Sequence, residues 1–410
     1  MLNQCLKQGT APEKAGGLME LSIINLPVEP KIQNPTMLNS LGIIALIYLL
    51  IAAVSIIGRG FQAAVGSQAE ILFAFAANPL AGLLVGTLVT VSIQSSSTVT
   101  AILVGLVAGG LPISLAVPIV MGANIGTTIT NTLVSLGHAR NSEEFEPAFA
   151  AATVHDFFNL TCVAIFLPLE VTTHFLEKAA ASLAQLLLGS IRLNLGEFKP
   201  IESITAPFVS LCQFFTSKLP LPFNHIGLIV LGIALIFCAI LYLGQLLKLL
   251  LVGEAQQLLR RAIGRGPLAG ILAGTGITVL VQSSSTTTSL VVPLAGIGLL
   301  ELSEIYPFVL GANVGTCITA LLAATAVSQN QLAALTIAAV HFLFNFIGIL
   351  VVFGLPFLRK IPLIAAQSLA AAASRRKFVA LLYIIGVFFL LPGLLLFLTS
   401  PPTLSRIFRI

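Results

Sequence analysis

Charge is what this sequence has least of. Asp, Glu, Lys and Arg make up 9% of its 410 residues, where soluble domains carry about 25%. That scarcity excludes an ordinary soluble globular chain. The basic residues leave a formal net charge of +5, but they stand in short clusters between apolar runs. There they orient a membrane chain and form no nucleic-acid surface. Cysteine is scarce too: Cys5, Cys162, Cys212, Cys238 and Cys317 are scattered. They show no C-x-x-C and no Cys/His metal spacing, so they read as small core residues. No nucleophile–base pairing, metal motif or Walker loop occurs, which leaves no basis for an enzyme or a resident cofactor. Residues 1–37 lack the charged-then-apolar pattern of a signal peptide and read as a polar N-terminal tail.

What is present is apolar sequence, 57% of the chain, in continuous helix-length runs rather than the alternating pattern of β-barrel strands. The fold class is therefore an all-α polytopic membrane protein. Two polar knots interrupt the runs, Gln94-Ser95-Ser96-Ser97-Thr98 and Gln282-Ser283-Ser284-Ser285-Thr286. Around them PLAGLLVGTLVTVSIQSSSTVTAILVGLVAGG (79–110) aligns without gaps on PLAGILAGTGITVLVQSSSTTTSLVVPLAGIG (267–298), with 18 of 32 positions identical. Gly122-Ala123-Asn124-Ile125-Gly126-Thr127 recurs as Gly311-Ala312-Asn313-Val314-Gly315-Thr316, and His155 and Asn159 recur as His341 and Asn345. Internal repeats in a membrane protein point to a transporter with its site at the repeat interface.

In chain order the reading is a repeat over 38–170, a mostly polar connector with an amphipathic start over 171–225, and a second repeat over 226–357. A basic loop, a final apolar helix (378–399) and a short tail follow in 358–410. Spans are expected at 41–58, 112–136, 147–169, 226–252, 301–327, 332–355 and 378–399, with short interfacial pieces at 59–78 and 253–266. The limb before each knot is 15 residues, about 22 Å at 1.5 Å per residue, short of the ~30 Å hydrocarbon core. Each knot thus suggests the tip of a re-entrant hairpin, 79–110 and 267–298, tolerated only where it is buried in protein or lines a wet cavity. Gly, Asn and Thr in 122–128 suggest a local helix break. Three crossings per copy make the repeats inverted in topology. With a cytoplasmic N-terminus, 13 of the 20 Lys and Arg fall inside, as the positive-inside rule asks.

Ser and Thr hydroxyls and the Gln amide both donate and accept. At a helix break, freed N–H groups favour an anion, while freed carbonyls and hydroxyl oxygens suit a hard cation such as Na⁺. A lone Ser in a span is explained as helix glue. An intact QSSST in both copies is not. Gln94, Ser95, Ser96, Ser97 and Thr98, with Gln282, Ser283, Ser284, Ser285 and Thr286, are expected to hold an oxyanion and Na⁺ side by side. Asn124, Thr127, Thr128, Asn313, Thr316 and Thr319 are the second set, expected to ligate a cation. His155, Asp156 and Asn159, with His341 and Asn345, either support the knots or bind directly. Asp156 has no echo, since Phe342 stands in its place.

These paired QSSST and GAN(I/V)GT motifs resemble the type II sodium–phosphate cotransporters, as does Ala152-Thr153-Val154-His155-Asp156-Phe157-Phe158-Asn159 followed by Leu167-Pro168-Leu169-Glu170. The resemblance covers roughly 40–400. It implies Na⁺-coupled symport of inorganic phosphate across the plasma membrane, with Na⁺ as coupling ion, the QSSS segments on phosphate, the threonines at Na⁺ sites, and homodimers. The connector is short, has one cysteine (Cys212) and no usable glycosylation sequon, which points to a bacterial inner-membrane member. Electrogenic members of the family the chain resembles carry an acidic residue near the end of the first hairpin; Val99–Gly110 has none, so the resemblance implies electroneutral coupling. The rival readings are a symporter of another small anion, an uncoupled phosphate channel or exporter, and a structural or sensory membrane protein.

Overall fold

The computed structural model describes residues 37–399, apart from 77, 196–199, 221–222, 263–264, 326 and 328–329. The expected polar tail before Met37 and the C-terminal tail from 400 lie outside the described residues. All regular structure among the described residues is helical. Copy one comprises α1 (Met37–Ala76), α2 (Pro79–Ile93), α3 (Ser96–Ala108), α4 (Ile113–Gly126), α5 (Ile129–Ser135) and α6 (Ser142–Thr173). Between the copies stand α7 (Phe175–Leu195) and α8 (Pro200–Thr216). Copy two comprises α9 (Phe223–Ala262), α10 (Pro267–Val281), α11 (Ser284–Ser289), α12 (Val291–Gly296), α13 (Leu302–Thr325) and α14 (Gln331–Gly348), which runs on as a π-helical turn over Ile349–Phe353. Then come α15 (Pro356–Arg375), α16 (Lys377–Ile385) and α17 (Leu391–Thr399).

Seven helical stretches are long and apolar enough to cross a membrane: Met37–Ala64, Ile113–His138, Ser142–Thr173, Phe223–Leu247, Leu302–Thr325, Gln331–Phe353 and Lys377–Leu398. Each coincides with an expected span, so the chain is a multi-pass membrane protein. The limbs α2, α3 and α10 are apolar but shorter.

The connecting pieces differ from expectation. No separate interfacial helix follows the first span, because α1 continues for 40 residues and α9 does the same. No proline stands in residues 59–76 or 253–262 to stop either helix. The connector, expected to be mostly polar with an amphipathic start, is largely helical among its described residues. In α7, Leu176, Ala180, Ala184 and Leu188 recur every fourth residue, are buried, and form the face packed on α14. The basic loop at 358–377 is instead the helix α15. Its Ala366, Ala370 and Ala373 make a buried small-residue stripe that lets it lie close along α6, and its charges stay at the ends.

The densest packing is the same in both copies. A Cβ added at Gly122 would lie 1.9 Å from Leu83 O, and one at Gly86 would lie 2.1 Å from Ile119 O. At the matching positions, Gly311 would meet Ile271 O at 1.9 Å and Gly274 would meet Phe308 O at 1.9 Å. Only glycine permits this backbone approach. Thr87 Oγ1 donates to Gly122 O (3.2 Å) and Thr275 Oγ1 donates to Gly311 O (3.0 Å). The glycines of the GAN(I/V)GT motifs therefore fasten α4 to α2 and α13 to α10.

Two local breaks set the copies apart. The expected break in 122–128 occurs between α4 and α5, where Thr128 Oγ1 donates to Ile125 O at 2.9 Å and competes with the helical bond. Cys317 holds the matching place in copy two, and α13 runs through it unbroken. Conversely, α3 is one 13-residue helix, whereas its counterpart parts at Leu290 into α11 and α12. Pro293 has no N–H for Ser289 O and crowds that carbonyl, while the matching residue in copy one is Gly105.

Candidate functional site

Each knot is a helix end joined directly to a helix start. Gln94 closes α2 in the left-handed region (φ 58°, ψ 28°), and Gln282 closes α10 in the same way (φ 55°, ψ 27°). In each case the backbone N–H donates 2.7 Å back, to Thr90 O and Thr278 O. A side chain other than glycine or asparagine rarely stays there, and the strain is about 1–2 kcal/mol. Ser95 and Ser283 then swing to extended backbone at φ −150° and cap the next helix. Their Oγ atoms accept the N–H of Thr98 and Thr286, each at 3.2 Å. The Thr hydroxyls close the caps, at 2.8 Å for Thr98 and 3.0 Å for Thr286. A serine N-cap is worth about 1 kcal/mol over alanine.

The two knots meet. Residues 93–98 and 282–286 line one cavity of about 360 Å³, with Phe237, Ile240, Leu241, Gly244 and Gln245 of α9 as its remaining wall. All eight expected anion-binding residues are there, together with Thr98 and Thr286. Among the described residues, no charged side chain lines it. Gln282 is held: its Nε2 donates to Val279 O (2.7 Å) and its Oε1 accepts from Thr319 Oγ1 (2.9 Å).

The rest of the expected cation set lies elsewhere. Thr319 touches the cavity only through Gln282. Asn124, Thr127, Thr128 and Thr316 are buried and turn onto their own helices, Asn124 Nδ2 to Val120 O (2.9 Å), Thr127 to Ala123 O (2.8 Å) and Thr316 to Ala312 O (3.0 Å). Asn313 joins a network across helices. His155 Nε2–H donates to Asn313 Oδ1 (2.6 Å), Asn313 Nδ2 donates to Asn159 Oδ1 (3.1 Å), and Asn159 Nδ2 donates to Asn124 O (2.8 Å). Asp156 accepts from Tyr383 Oη at 2.7 Å. The acid with no echo in copy two thus binds the final apolar segment, which has no echo in copy one.

Three groups escaped the sequence reading. Gln245 is a lone amide in the apolar run LYLGQLL, a signal that was available. Asn131 Oδ1 accepts from Thr288 Oγ1 (2.9 Å) and Ser289 Oγ (3.1 Å), tying α5 to the helix that carries the second knot. Its copy-two counterpart is Ala320, so comparing the repeats could not find it. Tyr383 carried no motif.

The fold and the site define a multi-pass helical membrane protein with a solute-sized polar cavity between two copies of one motif. The sequence profile of the Na⁺/Pi-cotransporter family matches residues 49–196 and 241–359, and the chain belongs to that family. It is 33% identical over 443 residues to sodium-dependent phosphate transport protein 2B of Homo sapiens, covering 85% of this chain and 64% of that protein. It is 34% identical over 422 residues to sodium-dependent phosphate transport protein 2A of Rattus norvegicus, covering 85% and 66%. The 2B protein of Bos taurus is 35% identical over 444 residues, covering 85% and 63%. The match therefore spans slightly less than two thirds of the length of these relatives. No solved structure matches the chain.

Proposed function

We propose that the chain is a sodium-coupled secondary symporter that imports inorganic phosphate into the cell through the cavity between the two knots. The observation that carries this is the cavity's chemistry. Its polar lining is made of hydroxyls and amides, and among the described residues it has no Lys, Arg or His to meet an anion. An unpaired anion in such a place is costly. Cations that enter with phosphate would neutralise it there, a role that sodium can fill. The relatives named as sodium-dependent phosphate transport proteins support the same cargo and coupling ion.

On this reading Gln94–Ser97 and Gln282–Ser285 hold the phosphate, with the first-turn N–H groups of α3 aimed at an oxygen. Thr98 and Thr286, with Thr319 behind Gln282, serve Na⁺. Asn124, Thr127, Thr128, Asn313 and Thr316 come to Na⁺ in other stages of the cycle or from the second layer. The limb pairs α2–α3 and α10–α12 are re-entrant hairpins of two inverted repeats, and alternating access is a rocking of each hairpin with its glycine-fastened partner helix. The chain lies in the plasma membrane with its N-terminus in the cytoplasm. It pairs as a homodimer without sharing its site, because both knots come from one chain.

The test is uptake of radiolabelled phosphate into proteoliposomes under an inward Na⁺ gradient against a matched K⁺ gradient. Uptake with Na⁺ alone is expected. Equal uptake under both gradients would move the reading to an uncoupled pathway, and uptake of sulfate in place of phosphate would move it to another oxyanion.

A further inference from the structure

The histidine–asparagine pair is present in both copies, but only the copy-one pair bonds across to the other repeat. On one side the run from His155 through Asn313 and Asn159 to Asn124 O is complete. On the other, His341 is 1% exposed and neither ring nitrogen has a hydrogen-bond partner. Asn345 turns its amide N–H groups onto His341 O of its own helix (2.9 Å) and Cys317 Sγ of α13 (3.6 Å), both within copy two, and its Oδ1 has no partner. Asn124, the counterpart of Asn313, turns its amide N–H onto Val120 O of its own helix. The helices are nonetheless in place, for α14 packs on α4 as α6 packs on α13. Buried polar groups almost always find partners. Here the unpartnered His341 Nε2 and Asn345 Oδ1 sit where the partnered His155 Nε2 and Asn159 Oδ1 of the other copy map, while Nδ1 has no partner in either ring.

We propose that His155 and His341 are positioning residues that bond in alternation. With the cavity in the orientation described here, His155 holds Asn313 and His341 is released. In the opposite orientation His341 Nε2–H donates to Asn124 Oδ1, Asn124 Nδ2 donates to Asn345 Oδ1, and His155 lets go of Asn313. The proposal rests on the alternating-access reading above. Its consequence is balance: each orientation completes one network and opens the other, so the two stay close enough in free energy for bound ions to choose between them.

The chain has five histidines, so ring-¹⁵N histidine NMR of the whole protein in bilayers can follow these two. The expected result is that the bonded fraction of His155 falls as that of His341 rises when Na⁺ and phosphate are varied. In uptake, His155→Ala and His341→Ala each lower the maximal rate about tenfold with the phosphate KM within about twofold. The double variant, in which neither orientation is favoured, is faster than the product of the two losses, and His→Gln at either position recovers most of the rate. A His341 ring that never gains a partner, in protein that takes up phosphate, overturns the alternation and leaves transport standing. Alternating rings in protein without uptake uphold the alternation and overturn the phosphate reading. Losses that multiply in the double variant indicate a merely structural role and overturn the proposal.

Discussion

Copy one and copy two agree at the surface they turn to the cavity and differ in the helices behind it. The backbone of the knots is superimposable in its angles, left-handed at Gln94 and Gln282 and extended at Ser95 and Ser283. The glycine contacts match to within a few tenths of an ångström. Behind them, α4 is broken and α13 is not, α3 is continuous and its counterpart is parted by Pro293, and Gln282 is anchored by Thr319 while Gln94 is exposed to the cavity. Geometry that lines the cavity is the same in both copies, and geometry that holds it in place has diverged; an exchanged set of supports is what the proposed two orientations would need.

The comparison can be broken most severely at the glycines. Gly122→Ala and Gly311→Ala force a methyl into a backbone carbonyl, and each should cost about 3 kcal/mol or more, read as a fall in the melting temperature of the purified protein. Tolerance at one site and not the other would show that the two fastenings are unequal. Next come the knots. Gln94→Ala and Gln282→Ala should each reduce Na⁺-driven phosphate uptake at least about tenfold in protein that still inserts, since each removes a proposed polar ligand; wild-type rates in either would remove that residue from the site. Tyr383→Phe, which takes the hydroxyl from Asp156, should cost about 1–3 kcal/mol in thermal unfolding. A cost near zero would mean the last apolar segment is held by packing alone. The smallest effect should separate the copies cleanly: Thr319→Val frees the Gln282 amide and should lower uptake about fivefold, at about 1 kcal/mol for one hydrogen bond. An unchanged rate would mean that Gln282, like Gln94, needs no anchor.

The spans were legible because an apolar run of 20 residues has one solution in a bilayer. The cavity was legible because the polar knots could not be explained by burial and occurred twice. Other features were hidden for identifiable reasons. The left-handed glutamines carry no composition signal, since glycine is the residue that announces positive φ. In α15 the terminal arginines and Lys360 drew attention to charge, while the alanine stripe that makes it a packed helix is silent to hydropathy. The GAN(I/V)GT glycines suggested a helix break, but in both copies they mark close packing, and the single break depends on the hydroxyl of Thr128. Asn131 and Tyr383 belong to what the copies do not share, so a reading built on repetition passed over them.

A cavity wall without fixed charge also has an electrical meaning. A membrane potential exerts about 2.3 kcal/mol per elementary charge per 100 mV, and it can act only on charges that cross the field. Among the described residues, the lining formed by 93–98, 282–286 and α9 brings none of its own. On the proposed cycle, a cavity that changed sides empty would carry no charge of this lining across the field. The current that accompanied a full one would then report the ions inside it, and the stoichiometry of the cargo would be readable as voltage.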